Sequence, residues 1–536
     1  MKNGILSYFN RYEGIFEDID ICFGDLIFRY SSSKSDIAFF IAAILSKSTR
    51  EGHACRSIDE MIDEINSIDE TRFEKEDILN ILDNESFIGK PGEFKPIILN
   101  DNLVYLYRYF NYEENVKKEL LYRAKTKAEE IGGLTPTLFT VITGGPGTGK
   151  TTMLSKILIE ILKKDRNSKI ALAAPTGKAA KRIQESIENS LRDTDYEFMS
   201  LIPKEAFTIH RLLGHKRNSI NFRHNKENPL DYDVIVIDEA SMIDLAMMSK
   251  ILDALRGDAR LVLLGDKDQL SSVELGSVFG DICNANNELS VCVKKLSKSY
   301  RFKENSGIGK FAFSVRDQDI SKMLSCIKGL DDSFQLIDEN EKKLKDILIK
   351  ASEKFVKICN FTEVEDISKG LSSFIILTAM RNGRVGMNSV NFFIEESILS
   401  KLQKTVFNYG NERFFNGKPI MITVNDYNLG LFNGDIGFFV EREKKIYFPG
   451  NETYIDPAIL PEHSMAFSIT VHKSQGSEWD EVLFLLPEKN NQLITRELIY
   501  TAATRARENL SIYGKKDILK IAIMKKTWRN SGMKKW

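Results

Sequence analysis

Little in this chain is built for crosslinking or for membranes. Six cysteines (Cys22, Cys55, Cys283, Cys292, Cys326 and Cys359) are scattered through 536 residues with no CxxC pair. That spacing excludes a disulfide framework and the usual zinc or iron–sulfur signatures, and reads as reduced thiols. No apolar run approaches the roughly 20 residues needed to span a bilayer. The N-terminus turns acidic early and lacks an apolar block followed by a small-residue cleavage site, so the expectation is a cytoplasmic protein with no membrane partner. An excess of one charge is missing too. Lys+Arg number 75 and Asp+Glu 76, net −1, which argues against a generic polyanion binder.

The distribution of charge is uneven. Residues 1–125 carry a net −7 and the remainder +6, so the N-terminal quarter suits contact with protein better than contact with phosphate. The tail after Gly514 holds Lys515, Lys516, Lys520, Lys525, Lys526, Arg529, Lys534 and Lys535. Such a run reads first as a solvated face and only second as a DNA contact. Hydrophobic residues at 42% and charged residues at 28% are ordinary for a globular protein, and the length calls for two to four domains.

Residues 1–125 read as mixed helical segments, with the aromatics of 100–114 as core. From residue 138 short continuous apolar runs appear, at 138–142, 170–174, 234–237 and 261–264. Each is the length of a strand buried on both faces, with helical patterns between them. The helix expected over 150–163 places Leu154, Ile157, Leu158 and Ile161 on one face. A second set follows at 374–377, 467–471, 482–486 and 510–513. Strands separated by helices imply parallel, doubly wound sheets, so two α/β domains are expected. Between them, β-rich runs at 419–424, 435–440 and 445–448 are broken by Asn416-Gly417 and Asn433-Gly434. Asn-Gly is a strong hairpin signal, and a small inserted antiparallel module is predicted there.

The string GGPGTGKT fits GxxxxGK[ST] and lies between a strand and a helix. Gly144, Gly145, Pro146, Gly147, Thr148 and Gly149 let backbone N–H groups converge on phosphate oxygens at a helix N-terminus. Lys150 is expected to reach the β- and γ-phosphates, the Thr151 hydroxyl to ligate Mg²⁺, and Thr152 completes the nucleotide-binding set. Asp238 and Glu239 follow the run 234–237 and project from the sheet edge where open α/β sheets place ligands. Asp238 would hold Mg²⁺ and Glu239 would position or deprotonate the attacking water. Gln269, in GDKDQL, is placed to sense the γ-phosphate. The cofactors implied are ATP and Mg²⁺.

Longer strings then carry a resemblance. They are GGPGTGKTT, LAAPTGKAAKR, TIHRLLG, VIDEASMIDLAMMSK, GDKDQLSSVELGSVFGDIC, KSYRF, GLFNGDIG, TVHKSQGSEWD and TRELIYTAATRAR, in that order from about residue 100 to the end. The chain resembles superfamily-1 helicases and, within them, the RecD family, the α subunits of RecBCD-type enzymes (exonuclease V). The resemblance implies two RecA-like P-loop domains, a small inserted SH3-like β-barrel and an N-terminal mixed or helical domain. The divisions are 1–115 for partner docking, 116–305 for the first motor domain, and 306–536 for the second with its insert at about 410–460.

The resemblance also implies roles. Arg301 and Arg505 would reach the γ-phosphate from the second domain, where a planar cation stabilises spread negative charge. Gln475, Gly476 and Glu478 would link nucleotide to strand movement, Gly476 and Glu478 within the nucleotide-binding set. Pro175, Thr176, Gly177 and Lys178, with Thr208 and His210, and Thr470, His472 and Lys473 would contact single-stranded DNA. Read alone, His210 and His472 fit core histidines better than strand contacts. The implied activity is ATP-dependent 5′→3′ helicase action on the 5′-ended strand, within a heterotrimer of RecC- and RecB-like subunits that acts in double-strand-break repair and recombination. The chain shows no carboxylate cluster for a nuclease, so any exonuclease label describes the complex.

One departure is plain. Many such helicases read adenine with a Gln upstream of the P-loop, and no Gln occurs between residues 100 and 150. Three other readings compete. A stand-alone RecD-like helicase carries a longer N-terminal region with helix–hairpin–helix repeats, which this acidic segment lacks. A decayed scaffold subunit conflicts with the intact Lys150, Asp238, Glu239, Arg301 and Arg505. A small-molecule kinase needs no second domain bearing arginines.

Overall fold

The computed structural model describes residues 6–68, 73–131, 134–191, 198, 200–203, 205–216, 219–272, 274–298, 300, 306–328, 331–339, 343–402, 405–426 and 428–535. The two expected parallel sheets are present. The first has six parallel strands in the order Val293–Leu296, Phe139–Gly144, Arg260–Gly265, Val234–Ile237, Ile170–Ala174, Phe207–Thr208. Its central strands are apolar without alternation because helices cover both faces. One face holds Lys150–Lys164 and Gly177–Leu191, the other Tyr107–Lys125, Leu245–Asp253 and Val278–Cys283. Fully buried residues such as Val236, Leu261 and Leu263 contribute roughly 1.5–3 kcal/mol each.

The second sheet has five parallel strands in the order Phe334–Ile337, Ala506–Tyr513, Trp479–Leu485, Phe374–Thr378, Ser468–Thr470. Three edge or near-edge strands escape the apolar-run reading: Phe207–Thr208, Val293–Leu296 and Phe334–Ile337. They are short or carry Lys294, Lys295 and Gln335, as befits strands with one side less buried.

The inserted module is a five-stranded antiparallel sheet ordered Thr453–Ile455, Lys445–Phe448, Ile436–Val440, Pro419–Ile422, His463–Met465. The pairing runs from one edge to the other, so the antiparallel module is present while SH3-like closure into a barrel is not shown. Neither Asn-Gly closes a two-residue hairpin. Asn416 Nδ2 instead donates to Cys359 O at 3.0 Å and Phe361 O at 2.8 Å, capping the helix Leu344–Cys359. Gly417, at φ +76°, lies against that helix end, and this tertiary contact overrides the local turn signal.

The N-terminal region folds as five helices around a four-stranded sheet ordered Cys55–Ser57, Leu103–Leu106, Ile97–Asn100, Ile88–Gly89. The aromatics of 100–114 divide as core and rim: Tyr105 and Phe110 are buried, Tyr107 and Tyr109 partly so. Helix Tyr107–Lys125 joins this region to the first motor domain. Its buried Arg123 donates to Ala259 O (2.6 Å) and Arg256 O (2.9 Å). The C-terminal tail departs from the solvated reading. After helix Lys516–Met524 it crosses to the N-terminal region, where Asn530 and Ser531 are buried, and Met533 is buried in the core of the first sheet. Among the described residues, no helix is long and apolar enough to cross a membrane.

Candidate nucleotide and strand-binding site

Strand Phe139–Gly144 is followed by a tight loop into helix Lys150–Lys164. Two glycines in that loop answer to geometry. Gly149 takes φ +83°, and a Cβ on Gly144 would sit 2.6 Å from Thr148 Oγ1 and 2.7 Å from Leu296 O. Lys150 Nζ donates to Gly144 O at 2.6 Å and Gly145 O at 3.1 Å, holding its ammonium over the loop.

A cavity of about 810 Å³ opens on this loop. It gathers Pro146, Gly147, Thr148, Gly149, Lys150, Thr151 and Thr152 with Asp238, Glu239 and Gln269 from neighbouring strand ends. From the second motor domain come Arg505 and Glu478. The expected residues thus meet at one place, with four exceptions. Arg301 lies outside the described residues, although its neighbour Tyr300 lines the cavity. Gly144 and Gly145 act behind the cavity, as carbonyl acceptors for Lys150. Gly476 lines the adjoining cleft, and its carbonyl accepts from Arg182 Nη1 at 3.3 Å.

The carboxylates are shaped for a cation. Crowding by protein and then the neighbouring Glu239 charge push the Asp238 carboxyl above its ordinary range, while Lys150 pulls the other way. Glu239 adopts φ +51°, a left-handed conformation costly for a residue with a side chain, and its N–H donates to Asp238 Oδ1 at 2.8 Å. A carboxylate and the Thr151 hydroxyl in one cavity form a hard oxygen donor set, which fits Mg²⁺. Gln269 Nε2 donates to buried Asp266 Oδ2 at 3.2 Å. Arg505 is almost fully buried, its guanidinium donating to Thr501 O (3.1 Å), Ser477 O (3.1 Å) and Thr504 Oγ1 (3.3 Å).

Arg182 was not singled out from the sequence, yet it lines the cavity and pairs with Glu478 across the two domains. The available signal was helical spacing: Arg182 lies four residues after Lys178 on helix Gly177–Leu191 and so shares its face.

A second cavity, of about 720 Å³, lies between that helix, the β-module and the second domain. Gly177, Lys178 and Thr208 line it with Phe432, Asp435, Trp479 and Arg507. Lys178 Nζ lies 5.6 Å from the Trp479 ring centroid, and desolvation, then Arg182, push its ammonium down to about 8. Pro175, Thr176, His210, Thr470, His472 and Lys473 are not in its lining. Thr176 Oγ1 accepts from Ala179 N and Thr208 Oγ1 from Arg211 N, so both hydroxyls cap helices. His210 meets Phe222 edge-on, with centroids 5.6 Å apart. Thr470 is buried. The two segments expected to bind a strand nevertheless converge on one loop of the module: Lys473 Nζ donates to Asn433 Oδ1 at 2.7 Å, and Lys178 and Asp435 line the same cavity.

Three family profiles match the chain: the N-terminal domain of RecBCD enzyme subunit RecD over residues 12–105, an AAA domain over 128–275, and a UvrD-like helicase C-terminal domain over 465–513. The RecBCD enzyme subunit RecD of Haemophilus influenzae is 34% identical, over 74% of this chain and 70% of the relative. That of Mycolicibacterium smegmatis is 32% identical over 84% of each chain. The ATP-dependent RecD2 DNA helicase of Deinococcus radiodurans is 30% identical over 71% of this chain and 48% of its own.

Proposed function

Since the chain belongs to the RecD family, we propose that it is the 5′→3′ single-strand motor of a RecBCD-type helicase-nuclease that works in double-strand-break repair and recombination. It is an ATP-dependent DNA helicase with two α/β motor domains. The observation that carries the mechanistic reading is the cavity joining Lys150, Thr151, Asp238, Glu239 and Gln269 to Arg505 and Glu478 of the other domain.

The roles follow from chemistry. Lys150 clamps the phosphates, Glu239 takes the proton of the attacking water, Gln269 senses the terminal phosphate, and Arg505 with Arg301 counters charge spreading in the transition state. Thr151 and Asp238 would hold Mg²⁺, which when bound neutralises phosphate charge. The cavity spans both domains, so nucleotide binding draws them together and release lets them part. Strand-binding segments on each domain then step along a single strand, with Pro175–Lys178, Thr208 and His210 on one side and Thr470, His472 and Lys473 on the other. We divide the chain at 1–115, 116–305 and 306–536.

We assign residues 1–115 to docking on a RecC-like subunit, with a RecB-like subunit completing the assembly. Two features support this. The region is acidic, and helix Asp18–Tyr30 buries Ile21, Gly24 and Ile27 while exposing Ile19 (62%), Leu26 (51%) and Tyr30 (71%) along one stripe. Strand displacement on 5′- and 3′-tailed duplexes, with and without a RecC/RecB pair, tests the whole reading. Unwinding is expected from the 5′-tailed substrate and is expected to rise with the partners. Preference for the 3′-tailed duplex overturns the polarity, and indifference to the partners overturns the docking.

A further inference from the structure

The loop that follows Gln269 is held from three directions. Leu270 N donates to Thr501 Oγ1 at 2.9 Å and Leu270 O accepts from Gln475 Nε2 at 3.0 Å, both from the second motor domain. The Leu270 side chain packs in that domain's core, although the strand before it belongs to the first domain. Further along, Gly276 N donates to Gly52 O of the N-terminal region at 3.1 Å. The third hold comes from the chain's end. Arg529 Nη2 donates to Ser272 O at 2.7 Å, and Arg529 Nη1 to Glu274 O at 2.6 Å and Gly276 O at 2.7 Å.

The segment bearing Arg529 is itself seated with care. Thr527 Oγ1 donates to Glu497 Oε2 of the second motor domain at 2.9 Å. Asn530 then turns to the N-terminal region, its N–H donating to His53 Nδ1 (2.9 Å), its carbonyl accepting from Ala54 N (2.8 Å) and its amide donating to Glu60 Oε2 (2.6 Å). Ser531 Oγ donates to Glu113 Oε2 at 3.1 Å, and Met533 is buried in the first motor domain's core. A strap of about seven residues therefore touches all three domains, and its one guanidinium donates to three main-chain carbonyls and the Ser272 hydroxyl of a single loop.

A staple between domains would need only an ion pair. A planar fork shared among the carbonyls of 272, 274 and 276 fixes the conformation of the loop itself. We propose that Arg529 is a positioning residue: through the 272–276 loop it couples the nucleotide sensor Gln269 to the second motor domain and to the N-terminal region, so that DNA and partner binding reach the hydrolysis site. The carbonyls that Arg529 holds, at 272, 274 and 276, lie outside the lining of the nucleotide cavity. Gln475, which donates to Leu270 O at 3.0 Å, lies three residues after His472 of the segment proposed to bind the strand, so the loop joins both ends of the coupling. The inference rests on the helicase activity stated above.

The test is ATP hydrolysis by the full chain, without DNA and with saturating oligo(dT), for wild type, Arg529→Ala, Arg529→Lys and Gly532→Ala. Gly532→Ala keeps Arg529 but unseats the strap, because a Cβ there would lie 2.2 Å from Tyr105 Oη and 2.3 Å from Glu113 Oε1. Arg529→Ala is expected to lose roughly tenfold of the DNA stimulation with basal turnover and ATP KM unchanged. Arg529→Lys recovers part of it, and Gly532→Ala shares the loss. Amide exchange of 272–276 quickens in both disabled variants. Full stimulation in Arg529→Ala, or in Gly532→Ala should Arg529→Ala not fold, overturns the proposal. A wild type that DNA does not stimulate strikes the helicase reading instead. Exchange of 272–276 then decides the positioning role: faster in Arg529→Ala supports it, unchanged refutes it.

Discussion

Arg182 and Glu478 form an ion pair across the nucleotide cavity, one residue from each motor domain. The Glu478 carboxylate is nearly buried, and its other oxygen accepts from Arg507 Nε at 3.4 Å. Arg182 sits five residues into the helix whose first turn carries Gly177 and Lys178. The pair lines both cavities and therefore ties the proposed strand-binding cleft to the nucleotide cavity mechanically. Arg182→Ala and Glu478→Ala are each expected to slow DNA-stimulated hydrolysis, and the double variant to be little worse than either. The coupling in such a cycle should be roughly 1–2 kcal/mol. Losses in kcat/KM that simply add would show that the two residues act independently.

Lys150 and Arg505 both line the proposed nucleotide cavity, but their removal should differ in stability. The Lys150 ammonium rests on two carbonyls of an accessible loop. Lys150→Gln is expected to cost about 3 kcal/mol or more in the transition state and to leave the melting temperature unchanged. Arg505 satisfies Thr501 O, Ser477 O and Thr504 Oγ1 in a dry setting. Arg505→Ala should therefore slow turnover and also destabilise the fold by about 1–3 kcal/mol, the penalty of leaving buried acceptors unmatched. Paired thermal melts and kcat measurements check this. Equal melting temperatures for the two variants would refute the structural part.

The nucleotide site was legible in the sequence because its chemistry is local. A glycine loop between strand and helix, and an Asp-Glu pair at the end of an apolar strand, are each fixed by a few consecutive residues. The first sheet was legible for the same reason: 170–174 and 234–237 are strands at the bounds their apolar runs predict, and in the second sheet the runs 374–377 and 510–513 fall within longer strands. What was hidden depends on residues far apart. Asn416-Gly417 has the local signature of a hairpin, yet Asn416 spends its amide on a helix end more than fifty positions earlier. Arg182 acquires its meaning from Glu478, nearly three hundred positions away. The tail looks like a solvated basic run because Lys515 and Lys526 are indeed exposed, but the Arg529-Asn530-Ser531 triplet within it answers to carbonyls and side chains of other domains.

The seat of that tail titrates from two sides, which yields a signed pH prediction. His53 Nδ1 must be unprotonated to accept the Asn530 N–H. Burial, then Arg56 and Arg529, hold the imidazole down to about 4 against Glu60 and Glu64. Its folded value lies below the ordinary 6.5, so its contribution is full above that pH and is lost as pH falls through about 4. Glu113 works oppositely. Burial pushes its carboxyl up to about 7, with Asp281 and Glu114 adding to the rise and the Tyr105 and Ser531 hydroxyls opposing it. Its contribution is full below the ordinary 4.5 and is lost as pH rises through about 7. Glu113→Gln removes the second titration while keeping an oxygen to accept from Tyr105, since Ser531 can turn its hydroxyl to accept from the new amide. The variant is therefore expected to match wild type in stability at pH 5 and to exceed it at pH 8 by up to about 3 kcal/mol. As pH falls from about 6.5 to about 4 both proteins should weaken together by losing the His53 contribution. Amide exchange of residues 527–533 and denaturant melts at pH 4, 5 and 8 read this directly. A wild type no more sensitive than Glu113→Gln between pH 5 and 8 would mean that Glu113 stays ionised in the fold and that the strap is seated without regard to its protonation.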